Sequence, residues 1–281
     1  MDKKILILIG NARRHKYFAN QISAHYPLQG IIVERKYSPK NRLSNFLEKI
    51  HYNPLKLIEK IFYKICLTKI DKRYEKAEVD ILLKGRKNID LPKSSPLVYT
   101  DDINSEKTKE FIRKSKPDLI LISGTSLIKN DIITLMPTGT MINMHTGLSP
   151  YYRGGPCTFW CLYNAELEYL GVTIHFMTPG IDSGNIILSS RMMDITPDDN
   201  EATLDCKVIK LGVSLMLKAI EMFFDRRIKA IPQWEKGKVF YSKDFTPQNR
   251  LALEKKLKEG LVQKYLTVKA KAEFENIKTI N

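Results

Sequence analysis

ILILIGNARRHKYFANQISAHYPLQGIIVE, residues 5–34, is the stretch whose reading decides the fold. The aliphatic run Ile5 to Ile9 ends at Gly10-Asn11, the pattern of a strand buried on both faces that enters a turn. A helix over about Arg13 to His25 follows, Pro27 stops it, and Gly30 to Glu34 reads as a second strand. Strand, helix and strand at this spacing form a βαβ unit, so the chain is expected to be α/β with a mostly parallel sheet.

Outward from that unit the rhythm breaks and then resumes. Within residues 36–98, Leu43, Phe46, Leu47 and Ile50 have helical spacing. After Pro54, Leu57, Ile58, Ile61, Phe62 and Ile65 form another stripe, with Lys56, Lys60 and Lys64 on the other side. This is a helical insertion with a basic face, expected to pack on its own domain, with membrane or partner docking as the other reading. Helices are expected over Ser105–Lys114, Leu127–Leu135, Gly155–Asn164 and Ala202–Phe224. Strands are expected over Asp118–Ser123, Thr140–Asn143 and Gly171–Met177. A strand-like piece, Lys238–Tyr241, and a basic helix from about Pro247 to Gln263 follow. Residues 1–225 therefore read as one domain with an insertion, and residues 226–281 as a small basic extension, too short for a substantial independent domain.

The bulk numbers narrow the class. A hydrophobic content of 43% with 27% charged residues is that of a folded soluble chain, and no apolar run is long enough to span a membrane. Lysines precede Ile5, as in a signal peptide, but arginines follow Ile9 where a cleavage site would stand, so a first strand is expected there. Cys66, Cys157, Cys161 and Cys206 make no disulfide framework in a chain of 281 residues, which fits a reducing cytoplasm. The net charge of +15 is uneven: +3 over residues 1–34, +9 over 35–93, −5 over 94–225 and +8 over 226–281. Such a field attracts anionic small molecules, nucleic acid or an acidic membrane; equally, it solvates two helical surfaces.

Chemistry gathers in INMHTGLSPYYRGG, residues 142–155. Asn143 and His145 are two apart on a strand, hence on one face, near the carboxyl end where open α/β sheets place their sites. TPGIDSGNII, residues 178–187, sets Asp182 in a turn between glycines that let backbone amides approach a ligand. An Asn N–H can hold an oxyanion, a His can carry a proton, and an Asp can orient that His. With no G-x-S-x-G elbow, no P-loop and no Cys beside an evident partner, the pattern suits acyl transfer to an amine that is itself the nucleophile. Taken singly, Asn143 and Asp182 read as turn residues and His145 as a structural histidine; the joint placement at two strand ends favours chemistry. Metal binding by His145, His175 and Asp182 lacks a compact ligand motif, and no metal is expected. Cys157 and Cys161, one helical turn apart, read as helix packing.

The run through Pro117–Ile120, Ile142–His145, Pro150–Gly154, Gly171–Phe176 and Gly180–Gly184 resembles the folate-dependent formyltransferases, a family that includes methionyl-tRNA, glycinamide ribonucleotide and sugar N-formyltransferases. The resemblance covers roughly residues 1–10 and 110–225. It implies a Rossmann-like formyltransferase fold, 10-formyltetrahydrofolate as co-substrate, and Asn143, His145 and Asp182 as the catalytic triad. It further implies that Ser126, Leu127, Ile128 and Lys129, together with Thr178, Pro179, Gly180, Ile181 and Gly184, hold the pterin. One departure is visible: Gly147-Leu148-Ser149-Pro150 stands where the family usually has Ser-Leu-Leu-Pro.

The remaining segments bear on the acceptor. Within the resemblance, a methionyl-tRNA enzyme is expected to carry a β-barrel domain after the catalytic one, and the tail is short for that. The purine-pathway enzymes lack a counterpart to the basic insertion and have a different phosphate loop. A folate-hydrolysing relative would carry a domain ahead of the strand that begins here at Ile5. The expectation is therefore a sugar N-formyltransferase: a cytoplasmic enzyme acting on a nucleotide-linked amino sugar for bacterial surface polysaccharide. Gly10, Asn11, Arg13, Arg14 and His15, where the first strand meets its helix, and Arg153 are the candidates to grip a diphosphate, the alternative for Arg13 and Arg14 being plain surface charge. Rival readings are another amine acceptor, such as an amino acid derivative, a hydroxylamine or a lipid-linked sugar, with methionyl-tRNA ranked last, and a non-catalytic folate or nucleotide sensor. No nucleic acid partner is expected; peripheral membrane contact and a homodimer stay open.

Overall fold

The computed structural model describes residues 3–35, 54–269 and 277–280. The helix expected around Leu43–Ile50 lies outside them, as do the side chains of Leu57 and Ile58. β1 (Ile5–Gly10), α1 (Arg13–Ser23) and β2 (Leu28–Glu34) form the expected unit, with β1 and β2 parallel. Among the described residues the main sheet has seven strands in the order β3-β2-β1-β4-β5-β7-β8. β3 (Leu97–Thr100), β4 (Leu119–Ser123) and β5 (Met141–His145) extend the parallel part, whereas β7 (Gly171–Phe176) pairs antiparallel with β5 and with β8 (Ile186–Arg191), so that β7 alone is reversed. The fold is α/β, as read from the sequence. β3 and β8 are additions to that reading: β3 falls at the edge of the expected insertion, and β8 follows the Asp182 turn.

Alternation explains why β1 is apolar throughout. Ile5, Ile7 and Ile9 face a core shared with Phe18 and Ile22 of α1 and with Leu204 and Val208 of α6 (Glu201–Phe224). Leu6 and Leu8 face the opposite core, with Ile112 of α3 (Glu106–Ser115) and Ile132 of α4 (Asn130–Ile133). Each of these side chains is fully buried or nearly so, a gain of roughly 1.5–3 kcal/mol apiece. The chain leaves β1 toward β2 and β3, then returns on its other side to β4, so the strand order reverses between β1 and β4, where α/β sheets open a crevice.

Two helices depart from the sequence reading. α4 is only a single turn because the Asn104 carboxamide holds the backbone before it, donating to the Leu127 carbonyl at 3.0 Å and accepting from the Lys129 amide at 2.8 Å. The basic helix of the tail is two helices, α7 (Pro247–Lys258) and α8 (Leu261–Lys269), broken at Gly260, whose φ of +81° is a left-handed turn natural to glycine. α2 (Pro54–Ala77) passes into a π-helical turn, Glu78–Leu82. Ala77, Leu82 and Leu83 pack it against Ala202, Cys206 and Ile209 of α6, so this part of the insertion docks on its own domain, while Ile61, Phe62 and Ile65 are exposed.

The tail returns to the body. β9 (Lys238–Phe240) pairs in parallel with β6 (Tyr152–Gly154), just after the His145 loop. Phe240 stacks on Tyr152 and on Trp160 of α5 (Cys157–Tyr163), with centroids 5.1 and 5.0 Å away. Ser189 of β8 exchanges hydrogen bonds with the backbone of Ile280 at 2.6 and 2.9 Å.

Candidate active site

Asn143 and His145 project from β5, and the antiparallel register sets His175 of β7 directly opposite Asn143. Thr173, opposite His145, takes the Ser149 amide on its hydroxyl and gives its own proton to the Gly147 carbonyl, both at 2.8 Å. Those two bonds fix the loop after the histidine. Gly147 is required there: a Cβ would stand 2.3 Å from His145 Nε2 and 2.8 Å from Cys157. β7 then leads to the turn bearing Asp182, whose φ of +43° is left-handed, a region Asp enters more readily than most residues. Gln233 braces that turn by donating to the carbonyls of Asp182 (2.7 Å) and Gly184 (3.1 Å).

The three residues converge. Asp182 Oδ2 lies 3.3 Å from His145 Nδ1 and accepts the Gly154 amide at 3.0 Å. Asp182 Oδ1 accepts from Asn143 Nδ2 at 3.2 Å and is 3.4 Å from His175 Nε2. The sequence named His175 only as a metal candidate; here its Nδ1 faces the Phe176 carbonyl at 2.9 Å and its Nε2 meets Asn143 Nδ2 at 3.1 Å. A carbonyl can only accept, so Nδ1 carries a proton, while Nε2 stands between the Asn143 carboxamide and the Asp182 carboxylate and donates to the latter when it too is protonated. His175 thus contacts both groups. Among the described residues no group of His, Cys, Asp and Glu is arranged to hold a metal ion.

Burial alone would raise the Asp182 carboxyl, but His145, His175 and the Gly154 amide outweigh it and hold the group well below the usual carboxylate range. His145 Nε2 faces the Tyr152 carbonyl at 3.0 Å, so with Asp182 ionised both ring nitrogens face acceptors and a doubly protonated ring donates twice. The imidazole is therefore fixed in place between the Tyr152 carbonyl and the Asp182 carboxylate. Cys157, which the sequence left without a partner, has its Sγ 3.6 Å from His145 Nε2. Burial pushes that thiol far up, with Cys161 and Asp182 adding to the shift, so it packs against the ring as a neutral group and is no nucleophile.

Asn143, His145 and Asp182 open onto a cavity of about 1200 Å³. Ser126, Leu127, Ile128, Thr178, Gly180 and Ile181 line it, and so do Arg13, Arg14 and His15. The other expected site residues are not in its wall. Lys129 begins α4, Pro179 and Gly184 lie behind the Asp182 turn, and Gly10 packs beneath His15 and Gly124. Asn11 is exposed, and Arg153 spends its guanidinium on the Lys236 carbonyl at 2.6 Å.

The sequence missed the rest of the wall: Tyr74 of α2, Glu201 and Asp205 of α6, and Phe240, Tyr241, Phe245 and Arg250 of the tail. Only the i, i+4 spacing of Glu201 and Asp205 on a buried helix carried a local signal. Burial pushes Glu201 up to about 7, against the opposing Tyr74 hydrogen bond, and Asp205 is also raised by burial, with Arg14 opposing.

The model of the formyl transferase family matches residues 75–220. Methionyl-tRNA formyltransferase of Kosmotoga olearia is 31% identical over 160 residues, 57% of this chain and 50% of that protein. Methionyl-tRNA formyltransferase of Dictyoglomus turgidum is 32% identical over 151 residues, 53% and 47%. The chain spans about half the length of these curated relatives. In three dimensions it is similar to a 4-N formyltransferase from Francisella tularensis (TM-score 0.55, 19% identity, 87% of this chain and 79% of that one). It is also similar to an N-formyltransferase from Helicobacter canadensis, solved with folinic acid and dTDP-3-aminofucose (TM-score 0.52, 17% identity, 88% and 73%). At those identities the likeness establishes a shared fold.

Proposed function

Because the chain belongs to the formyl transferase family, we propose that it moves a formyl group from 10-formyltetrahydrofolate to the primary amine of an anionic small molecule, a nucleotide-linked amino sugar, in the cytoplasm. The observation that carries this reading is the convergence of Asn143, His145 and Asp182 on one wall of a cavity that continues to Arg13, Arg14 and Arg250. The cavity is large enough for two ligands end to end, since single small-molecule sites are typically about 300–1000 Å³. The family resemblance and the folate and sugar-nucleotide ligands of the Helicobacter canadensis neighbour support the choice of both.

The folate co-substrate supplies an activated formyl carbon. Ser126, Leu127, Ile128, Thr178, Gly180 and Ile181 line the part of the cavity that would hold its planar ring. Asn143 turns an amide hydrogen, engaged at rest with Asp182, toward the formyl oxygen as negative charge develops there. His145, kept in place by Asp182 and the Tyr152 carbonyl, relays the proton from the attacking amine toward the folate nitrogen that leaves. Asp182 stays ionised throughout and stabilises the charged imidazole.

The test is a panel of amines incubated with the purified chain and 10-formyltetrahydrofolate, with tetrahydrofolate release followed by absorbance. Nucleotide-linked amino sugars should give the highest kcat/KM. The panel includes amino acid derivatives and methionyl-tRNA, the latter because the curated relatives carry that name. Tetrahydrofolate release no faster than background with every amine would refute the reading.

A further inference from the structure

Asp71 and Glu75 on α2, and Glu78 at the start of its π-helical turn, stand at i, i+4 and i+7 and so share one helix face. Each meets an arginine from elsewhere in the chain: Arg250 of α7 is 2.9 Å from Asp71, Arg13 is 2.8 Å from Glu75, and Arg14 is 3.0 Å from Glu78. All six side chains line the large cavity.

The pairs are unequal. The Glu78 side chain is 9% exposed, and Arg14, itself 37% exposed, also lies in the field of the half-buried Asp205, so Arg14 faces two carboxylates sheltered by the protein. Asp71 and Glu75 are 66% and 55% exposed, while the arginines they hold, Arg250 and Arg13, are only 15% and 32% exposed. An ion pair with one partner in water contributes little. Those two arginines are sheltered cations with weakly held anions.

We propose that Arg13 and Arg250 form the diphosphate subsite of the acceptor, and that Asp71 and Glu75 are place-holders the ligand displaces. This rests on the acceptor reading given above. Asp71 and Glu75 are one helical turn apart, with Cβ atoms on the order of 5–6 Å from each other, so α1 and α7 each bring an arginine to neighbouring positions on one helix face. Phosphoryl oxygens accept two parallel hydrogen bonds from a guanidinium and carry more charge than a carboxylate, so exchange favours the ligand. The Arg250 guanidinium lies over the Phe245 ring at 5.4 Å, and the half-exposed Tyr241 shares that wall, which offers aromatic faces beside the anion site. The assignment narrows the sequence candidates: Arg14 is held by Glu78 and Asp205, and Arg153 is turned to the Lys236 carbonyl outside the cavity wall.

The experiment is calorimetric titration of the full chain with UDP, without folate or amine, so failure here leaves formyl transfer standing and the reverse also holds. Wild type binds UDP. Arg13→Gln and Arg250→Gln each weaken it by about tenfold or more. Asp71→Asn and Glu75→Gln, changes at exposed side chains that leave the fold intact by circular dichroism, tighten it by about two- to fivefold, because the internal competitor is gone. Arg227→Gln, an exposed arginine paired with Asp225 after α6, changes nothing. Absence of UDP binding, undiminished binding in both Arg13→Gln and Arg250→Gln, or weaker binding in Asp71→Asn and Glu75→Gln would overturn the assignment.

Discussion

Two walls of the cavity follow opposite electrostatic plans. At the β5–β7 wall one carboxylate, Asp182, is surrounded by donors from Asn143, His145, His175 and Gly154 and is held ionised despite burial. At the α2–α6 wall, Glu201 is buried and Asp205 half-buried, and desolvation outweighs the hydrogen bonds from Tyr74 and Thr158, so both are pushed toward the neutral form. The first therefore carries a fixed charge, whereas the second is driven toward neutrality beside Arg14 and Arg250. Burial alone does not set the charge of a carboxyl group; the donors and cations around it do.

The sharpest way to break this comparison is at the Asp182 wall. Asn143→Ala should lower kcat by about 10²–10³, the usual cost of losing an oxyanion donor, and Asp182→Asn by about 10⁴, the cost of losing the carboxylate that orients a catalytic histidine. Far-UV circular dichroism should be unchanged in both. Wild-type turnover in either variant would leave that residue without the assigned role.

Next is the pH dependence of stability, where the two walls should differ in sign. Asp182 has a lowered folded value, so its contribution is present at neutral pH and is lost as pH falls through the acid range. Glu201 is raised from 4.5 to about 7, so the folded state binds more protons than the unfolded chain, and stability falls as pH rises through that window. Glu201→Gln should therefore gain on wild type by roughly 3 kcal/mol between pH 4.5 and 8, read from urea midpoints. Asp182→Asn should instead lose stability at pH 7 and approach wild type in acid. Parallel curves for the two variants would erase the distinction.

Smaller effects sharpen it. Phe240→Ala removes two stacked partners, Tyr152 and Trp160, and should destabilise the chain by about 1–3 kcal/mol while raising the acceptor KM more than it lowers kcat. Asp71→Asn should change stability by less than about 1 kcal/mol, since the carboxylate is 66% exposed.

How far the sequence could be read depended on distance along the chain. Ile5–Ile9 declared a strand buried on both faces because alternation within one strand reports both of its neighbours. Asn143 and His145 were legible as a pair because two residues along a strand share a face, and Asp182 because glycines flank its turn. His175 was seen as a histidine but not as the partner of Asn143, 32 residues away, since that depends on antiparallel register. Arg13 and Arg14 read as free cations because Glu75 and Glu78 lie 62 and 64 residues farther on. The helix expected at Leu127 failed because Asn104 captures its backbone from another loop.

By itself, then, the sequence determined the α/β core and the helix that follows its first strand, and it named the carboxamide, imidazole and carboxylate that the fold brings together. Periodicity and turn composition are local properties, and they encode which face of an element is buried. Tertiary structure alone decided which charges are already partnered, which strands turn antiparallel, and that Phe240, Phe245 and Arg250 of the tail form a wall of the cavity. Charge pairing and desolvation depend on which groups distant in the chain come within a few ångströms, and no local pattern records that.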